Sequence, residues 1–428
     1  MFYKEALKKS AGTKEFDSLA PVEEAEIAIG NGVFLKQFPY YYHDAFGENF
    51  VNIYALEIPL SKKLAFGMEF SRTGDYCIEL TKKADKKVSG KLIGALNCNF
   101  GLIVDEFDRY PTDLSYNLHL EGENLVQLPV VDKPAILINK RLQVEMLFLH
   151  AEGNLKIGDL KMEWVGSQSK RYNYFYARER CVIYNSYNRG LLLVKDEITG
   201  TKKFFDPSYS STRKDRKKID VVVAEHGDSF VVTDINKDNN THFFEGNFVI
   251  SLPIRFTDKI NIGDLVEIIT IDLLSPKDYL FGSTGSPLFV PDVKESRKLI
   301  LSDRNVQTRS LENRSAYKKN SKFCRSCIVK TKNKTIFFLA DARKGKEGQE
   351  GLSIYMLRYT LAKLYPNFET AMNVDGGNAP KLVIKENMDY NVLGNLHYKN
   401  WPTKEKPDFS WNGYLGRKVP AMIYVYER

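Results

Sequence analysis

Residues 327–375 contain two apolar stretches that decide the fold, Thr335-Ile-Phe-Phe-Leu-Ala-Asp341 and Thr370-Ala-Met-Asn-Val-Asp375. Both are short, rich in aliphatic or aromatic residues and followed by a glycine-containing segment, which is typical of buried strands. A third stretch, Cys327-Ile-Val-Lys-Thr331, precedes them. The polar turn through Lys332-Asn333-Lys334 predicts a hairpin that lays this third strand against residues 335–341.

A helix is predicted between the first two strands, from Leu352 to about Tyr365. Gly351 precedes it, apolar residues recur at helical spacing, and Pro366 ends it. The order strand, helix, strand predicts a βαβ unit with parallel strands and a right-handed crossover.

Two carboxylates close the strands of this unit, since Asp341 and Asp375 are the last residues of their apolar stretches. In open α/β units, ligand crevices form at the carboxyl ends of the strands. The sequence therefore predicts that both carboxylates lie at one edge of a sheet.

Three segments at this edge carry residue types suited to catalysis. Arg325-Ser326 begins the hairpin, a glycine-containing loop joins Asp341 to Gly351 at the helix start, and Asn373-Val-Asp-Gly-Gly377 follows the last strand. A helix start favours anions, and paired glycines allow a sharp turn or a close approach to a ligand. Taken singly, each segment has an ordinary alternative: a surface arginine, a mobile loop and a common turn.

Together these segments resemble the phosphodiester glycosidase family. That family has Arg-Thr or Arg-Ser before a strand, a strand ending in Asp, a helix start with Gly-Leu/Ile-Ser/Asn, and then Asn-Leu/Val-Asp-Gly-Gly. The counterparts here keep the same order and similar spacing, and they are Arg325-Ser326, Asp341, Gly351-Leu352-Ser353 and Asn373-Val374-Asp375-Gly376-Gly377.

Looser similarity extends the resemblance over roughly residues 50–428. It includes Gly94-Ala-Leu-Asn-Cys-Asn-Phe100, Gly285-Ser-Pro-Leu-Phe-Val290 and Arg417-Lys-Val-Pro-Ala-Met-Ile423. Alternating apolar runs elsewhere, such as Leu265-Val-Glu-Ile-Ile-Thr-Ile271, predict many further strands.

We therefore expect an α+β fold of strand-rich mixed sheets with a C-terminal βαβ unit carrying the active site. The catalytic domain is expected over residues 46–428, after an accessory segment at 1–45.

The resemblance implies a glycoside hydrolase that cleaves a sugar-1-phosphodiester, or a related phosphate-linked glycan, at the glycosidic bond. It implies Asp375 as nucleophile or base, Asp341 as the partner carboxylate and Arg325 as a clamp on the phosphate. The candidate substrate-binding residues are Asn97, Asn99, Asn373, Gly376, Gly377, Ser326 and Gly351.

Composition and charge agree with a soluble globular protein, with 43% hydrophobic and 27% charged residues. The net charge of +8 is modest for 428 residues, so a carbohydrate or sugar-phosphate partner is favoured over nucleic acid. Five cysteines do not indicate a disulfide framework, and the six histidines lack the spacing of a zinc site. We expect no cofactor and no metal.

The amino terminus, Met1-Phe-Tyr-Lys-Glu-Ala-Leu-Lys-Lys-Ser10, lacks the apolar core of a secretory signal. No apolar run reaches the roughly 20 residues that a membrane-spanning helix needs. A cytoplasmic location is expected unless a signal has been removed.

Two alternatives to the hydrolase remain open. The family continues Asp-Gly-Gly with Gly-Ser-Ser/Ala, whereas this chain has Asn378-Ala379-Pro380, so a carbohydrate-binding or structural protein that retains the fold is one. An enzyme acting on nucleotide sugars or nucleic acid is the other, motivated by the positive charge and the missing signal.

Overall fold

The structure is a computed structural model in which short β-strands predominate. It describes residues 20–21, 25–44, 47–98, 101–103, 111–115, 118–122, 124–127, 133–149, 152–166, 181–185, 192–196, 200–204, 217–227, 229–238, 241, 247–271, 278–285, 287–302, 322–342, 351–374, 376, 379–394 and 418–428.

The described strands are, in chain order, β1 (Ala20–Pro21), β2 (Ala25–Gly30), β3 (Val33–Asp44), β4 (Gly47–Pro59), β5 (Leu64–Asp75), β6 (Leu92–Cys98), β7 (Gly101–Ile103), β8 (Pro111–Ser115), β9 (His119–Glu121), β10 (Asn124–Gln127), β11 (Lys133–Asn139), β12 (Val144–Leu149), β13 (Glu152–Ile157), β14 (Leu160–Gly166), β15 (Cys181–Asn185), β16 (Leu192–Asp196), β17 (Gly200–Phe204), β18 (Lys218–His226), β19 (Ser229–Asn236), β20 (Asn247–Pro253), β21 (Leu265–Ile271), β22 (Tyr279–Thr284), β23 (Leu288–Phe289), β24 (Arg325–Thr331), β25 (Lys334–Asp341), β26 (Phe368–Asn373), β27 (Leu382–Glu386), β28 (Asp389–Leu393) and β29 (Val419–Glu427). The described helices are α1 (Cys77–Lys87), α2 (Val293–Ser302) and α3 (Ile354–Leu364), with a 3₁₀ helix at Ile254–Lys259. None of the helices in this part of the chain is long and apolar enough to cross a membrane.

Two antiparallel sheets form the framework of the candidate site. The central sheet has the order β1-β3-β4-β25-β24-β26-β23, with β2 also paired to β3, and the second sheet has the order β28-β27-β6-β29-β5. The inner faces of the two sheets pack together through a buried core that includes Leu56, Phe337 and Ile423. The fold is therefore strand-rich α+β, as the sequence predicts.

Helices cover the outer faces of both sheets. On the central sheet, Val329 and Phe338 pack with Leu357 of α3. On the second sheet, Val383 and Met422 pack with residues of α1 that include Leu80. Alternating residues of a strand point to opposite faces, so the continuous apolar run of β25 serves both the inner core and the α3 layer. The result is a four-layer α/β/β/α arrangement.

The helix between β25 and β26 forms where the sequence predicts it. Helix α3 begins two residues after Leu352, and the Ser353 side chain caps it by accepting a hydrogen bond from the Met356 backbone N–H at 3.3 Å. The helix ends at Leu364, shortly before Pro366. Its apolar stripe covers the central sheet, which explains why helical spacing identified it.

The strands on either side of α3 differ from a simple βαβ pair. Both β25 and β26 pair antiparallel with β24, which lies between them. They therefore run in the same direction, as predicted, but they are not hydrogen-bonded to each other. The predicted hairpin is the reason, because the tight turn at residues 332–333 places β24 directly beside β25.

A closed barrel of β13, β14, β15, β20, β18, β19 and β21 is formed within residues 152–271. It has its own buried core, which includes Leu155, Val221 and Ile250. The sequence predicts several of these strands but not their closure into a barrel.

Ahead of the barrel, β3 pairs with β4 along the central sheet, from Phe34↔Glu57 to Asp44↔Gly47. The domain division between residues 45 and 46 stays a prediction.

Phe337→Ala tests the packing between the two sheets. Phe337 is fully buried and its ring lies 6.1 Å from that of Phe66 in an edge-on contact. We expect a loss of about 3–5 kcal/mol in the free energy of unfolding, measured by urea denaturation, because the substitution leaves a cavity. Met388→Ala is the control, since Met388 is 87% exposed, and it should change stability by less than about 0.5 kcal/mol. Equal effects of the two substitutions would contradict this packing.

Candidate active site

Three of the residues singled out from the sequence lie at one end of the central sheet. Arg325 is the first residue of β24, Asp341 is the last of β25, and Asn373 is the last of β26. The last strand therefore ends two residues before Asp375, which the sequence predicted as its final residue. The register pairs Arg325 with Ala340 and Cys327 with Asn373. Antiparallel pairing therefore brings the start of β24 beside the ends of both neighbouring strands.

The side chains at this end point to two faces of the sheet. Arg325 points to the same face of β24 as Cys327 and Val329, which pack on the α3 side. Ser326 alternates with Ile328, and Asp341 with Leu339, so both belong to the inner face between the sheets. The predicted residues thus form an α3-side group and an inner group at one edge.

Arg325 is the central residue of the α3-side group and is only 2% exposed. Its Nε donates a hydrogen bond to the Leu352 carbonyl oxygen at 3.1 Å, and its guanidinium carbon lies 5.2 Å from the centroid of the Phe323 ring. A Cβ built at Gly376 would lie 3.1 Å from Arg325 Nη1. Arg325 therefore lies against both the start of α3 and Gly376.

Gly351 allows the chain to approach closely at the start of α3. Its φ of +97° is in the region that favours glycine, and a Cβ there would lie 2.2 Å from the Phe323 carbonyl oxygen. Leu352 and Phe323 exchange backbone hydrogen bonds of 3.0 and 3.2 Å, and the Tyr42 hydroxyl donates to the Gly351 carbonyl oxygen at 2.8 Å. The glycine is needed for this junction, which in turn positions the acceptor of Arg325.

Asn97 and Ser326 meet in the inner group although they are 229 residues apart in the chain. The Ser326 hydroxyl donates to Asn97 Oδ1 at 2.8 Å, and the Lys381 backbone N–H donates to the same oxygen at 3.2 Å. The Asn97 backbone N–H in turn donates to the Lys381 carbonyl oxygen at 3.2 Å. Asn97 thus joins the central sheet to the second sheet at the edge of the site.

Asn373 is buried at the end of β26. Its backbone N–H donates to the Pro287 carbonyl oxygen at 3.1 Å, and the next N–H, of Val374, donates to the Ser326 carbonyl oxygen at 3.0 Å. A Cβ at Gly285 would lie 2.7 Å from the Asn373 carbonyl oxygen. The Gly285–Val290 segment noticed in the sequence therefore packs beside the predicted site.

Asp375, Gly377 and Asn99 lie outside the described residues. Val374 belongs to the core between the sheets, whereas Ala379 packs in the core under α1. The chain therefore passes from the central sheet to the second sheet between Val374 and Ala379.

Two residues beside Asp341 were not identified from the sequence as part of the site. Cys324 directs its thiol to Asp341 Oδ1 at 3.8 Å, and Asp341 Oδ1 also accepts the Ala342 backbone N–H at 2.8 Å. Lys381 is completely buried, and its Nζ donates to the Gly394 carbonyl oxygen at 2.5 Å. Burial lowers the pKa of Lys381, while the nearby Cys324 and Asp341 raise it. A lysine directly before an apolar strand is the signal that could have found it.

The Cys324-x-x-Cys327 pair does not form a redox unit. Neither cysteine is in a disulfide, and both are buried in different cores, Cys324 on the inner face and Cys327 on the α3 side. Burial holds the pKa of the Cys327 thiol well above its ordinary value, which disfavours the reactive thiolate. Cys327 therefore has a packing role in the core under α3.

Gly351→Ala tests the junction beneath Arg325. The substitution adds a Cβ that meets the Phe323 backbone, so we expect a larger drop in the unfolding free energy than the roughly 1–2 kcal/mol that positive φ alone costs. Gly263→Ala is the matched control, because Gly263 has a similar φ of +93° but open space around its Cβ position. Indistinguishable denaturation curves for the two variants would show that the junction tolerates a side chain.

Comparison with known proteins adds a family match and a fold match. The sequence model of the phosphodiester glycosidase family matches residues 277–426. No curated protein matches the sequence.

Three solved structures are similar to this chain. A Synechocystis protein has a TM-score of 0.59 at 13% identity, covering 96% of this chain, which spans 64% of the length of that protein. A Burkholderia pseudomallei protein has a TM-score of 0.58 at 10% identity, covering 97% of this chain and 98% of that one. The catalytic domain of zebrafish N-acetylglucosamine-1-phosphodiester α-N-acetylglucosaminidase gives a TM-score of 0.42 at 9% identity, covering 98% of this chain and 94% of that one.

The first two similarities concern the fold alone. The family match includes β24, β25, α3 and β26, and with them Arg325, Asp341 and Asn373. The resemblance predicted from the motifs is therefore confirmed: residues 277–426 match the phosphodiester glycosidase family.

Proposed function

We propose that this chain is a glycoside hydrolase that cleaves the glycosidic bond of a sugar-1-phosphodiester or a related phosphate-linked glycan. The observation that carries the proposal is the meeting of Arg325, Asp341 and Asn373 at one sheet edge, within the residues that match the family. The Asn97–Ser326 hydrogen bond adds polar groups of the second sheet to the same edge.

Arg325 is proposed to bind the phosphate of the substrate. A guanidinium group presents several donors in a plane that matches phosphate oxygens, and its charge is permanent. The hydrogen bond from Nε to the Leu352 carbonyl oxygen fixes the direction of the side chain, and Gly376 leaves room beside Nη1. Both contacts favour a preorganised anion site.

The proposed reaction is hydrolysis at the anomeric carbon. The bond between that carbon and the bridging oxygen breaks, the phosphomonoester leaves with the electron pair, and a water oxygen is added to the sugar. Because a phosphate is a good leaving group, charge stabilisation matters more than strong proton donation. Asp375 is proposed as nucleophile or base, and Asp341 as the second carboxylate that stabilises the oxocarbenium-like transition state.

The remaining candidate residues are proposed to contact the sugar or to shape the site. Asparagine side chains can donate to and accept from hydroxyl groups, and glycines allow the backbone to approach a ligand. The proposed binding residues are Asn97, Asn99, Asn373, Gly376, Gly377, Ser326 and Gly351. Asn97 and Ser326 already bond to each other, so they can act by orienting one another's polar atoms.

Asp375→Asn tests the proposed catalytic assignment. Purified protein is incubated with a panel of sugar-1-phosphodiesters, including a UDP-sugar and a GlcNAc-1-phosphate ester, and free sugar is measured. We expect the rate to fall by about 10²–10⁴-fold, because the carboxylate is lost from the reacting centre. Asp389→Asn is the control, since Asp389 is an exposed residue of β28, and it should retain full activity. Unchanged activity of Asp375→Asn would make the assignment wrong.

Arg325→Lys tests the phosphate clamp separately. Lysine keeps the positive charge but loses the planar pair of donors, so kcat/KM should fall by about 10²–10³-fold, as when one transition-state donor is removed. Arg255→Lys is the control, since Arg255 is an exposed residue whose guanidinium lies over the Phe256 ring, and it should leave kcat/KM unchanged. The same denaturation midpoint for both variants is required to exclude a folding defect. Equal activity of both variants would overturn the role of Arg325.

The Asn378-Ala379-Pro380 departure favours a second candidate, a carbohydrate-binding protein without turnover. Release of no free sugar from the whole panel, together with saturable binding of the same compounds in calorimetry, would favour this alternative.

A further inference from the structure

Lys381 places an ammonium group in the protein interior beside the proposed active-site edge. The residue is 0% exposed and immediately precedes β27 of the second sheet. An isolated buried charge is strongly unfavourable, so a lysine in such a place requires hydrogen bonding and an opposite charge. The proposed hydrolysis assigns it no part.

The ammonium group lies on the same side of β25 as Asp341. Lys381 Nζ bonds to the Gly394 carbonyl oxygen, and Gly394 packs against Leu339, whose Cδ2 would lie 2.8 Å from a Cβ at that glycine. Leu339 and Asp341 alternate on the inner face of β25. The backbone of Lys381 is also bonded twice to Asn97, which holds this strand start against the end of β6.

Burial lowers the pKa of Lys381, and three titratable groups from different elements oppose this lowering: Cys324 just before β24, Asp341 of β25 and Cys77 of α1. Asp341 is also 0% exposed, and the Cys324 thiol contacts its Oδ1. Two buried groups of opposite charge relieve one another's desolvation, and removing one leaves the other uncompensated.

We propose that Lys381 is a positioning residue that provides the counter-charge of Asp341 and keeps it a carboxylate at the edge of the site. Resting on the proposed hydrolysis, this makes Asp341 a stabiliser of positive charge on the sugar rather than a proton donor. Lys381 also follows directly after Asn378-Ala379-Pro380. A buried lysine therefore stands directly after the segment that departs from the family pattern.

The test is a double-mutant cycle of Lys381→Met and Asp341→Asn, with unfolding by urea at pH 5 and pH 7. In Lys381→Met the uncompensated Asp341 carboxyl has a raised pKa in the folded state. The folded protein then binds more protons than the unfolded chain, and stability falls as pH rises. We expect the unfolding equilibrium constant of Lys381→Met at pH 7 to exceed that of the double variant by at least about tenfold, one pKa unit. The ratio of the two unfolding equilibrium constants should be smaller at pH 5, where a carboxyl group with a raised pKa is more often protonated.

The exposed pair Lys298–Glu295, 3.1 Å apart on α2, is the matched control. The effects of Lys298→Met and Glu295→Gln on the free energy of unfolding should be additive within error, because exposed ion pairs contribute little to stability. Additive effects of Lys381→Met and Asp341→Asn at both pH values would overturn the proposal.

If Lys381→Met does not fold, Asp341→Asn alone tests the proposed charge pair of Lys381 and Asp341. Without the aspartate, the pKa of Lys381 falls further below that of the unfolded chain, so the unfolded state binds more protons. The stability of Asp341→Asn should then rise relative to wild type between about pH 7 and pH 10. Parallel stability curves of the two proteins would contradict the charge pair.

An activity measurement separates this inference from the proposed function. If wild type hydrolyses a phosphodiester, the acidic limb of kcat/KM in Lys381→Met should move up by about one pH unit, since loss of a nearby charge shifts a carboxyl pKa by about 1–3 units. An unmoved acidic limb would overturn the catalytic consequence. If wild type shows no hydrolysis, the proposed function fails while the denaturation cycle still decides the charge pair.

Discussion

The antiparallel pairing of β24 with both β25 and β26 is the constraint on which the site depends. A two-residue turn places β24 beside β25, and the Cys327↔Asn373 register then sets β26 on its other side. Arg325, Asp341 and Asn373 are brought to one edge by these backbone hydrogen bonds. A register slip of one residue would move every side chain of β24 to the opposite face.

Polar contacts between the two sheets then complete this edge. Asn97 accepts from the Ser326 hydroxyl and from the Lys381 backbone, so a single amide oxygen joins three separate chain segments. Buried polar groups are tolerated where they are hydrogen-bonded, and a satisfied network favours one arrangement of the core. The same contacts that hold the sheets together thereby orient groups proposed to bind sugar.

Local sequence patterns were sufficient for the elements around the site. The apolar runs, the polar turn at residues 332–334 and the Gly351 and Pro366 boundaries predicted β24, β25, α3 and β26 to within two residues at each end. These signals are local because strand alternation, turn chemistry and helix capping depend on neighbours in the chain. Closure of the barrel within residues 152–271 was not predictable in this way, since it depends on pairing between distant strands.

The sequence by itself determined the α+β class, the order of strands and helix between Arg325 and Asn373, and the resemblance to phosphodiester glycosidases. Only the tertiary structure decided that β24 separates β25 from β26, and that Arg325 and Asp341 extend from opposite faces. It also decided that Ser326 meets Asn97 and that Lys381 is completely buried with its backbone bonded to Asn97. These outcomes are set by long-range packing, in which the two sheets enclose residues far apart in the chain, and no local pattern records such contacts.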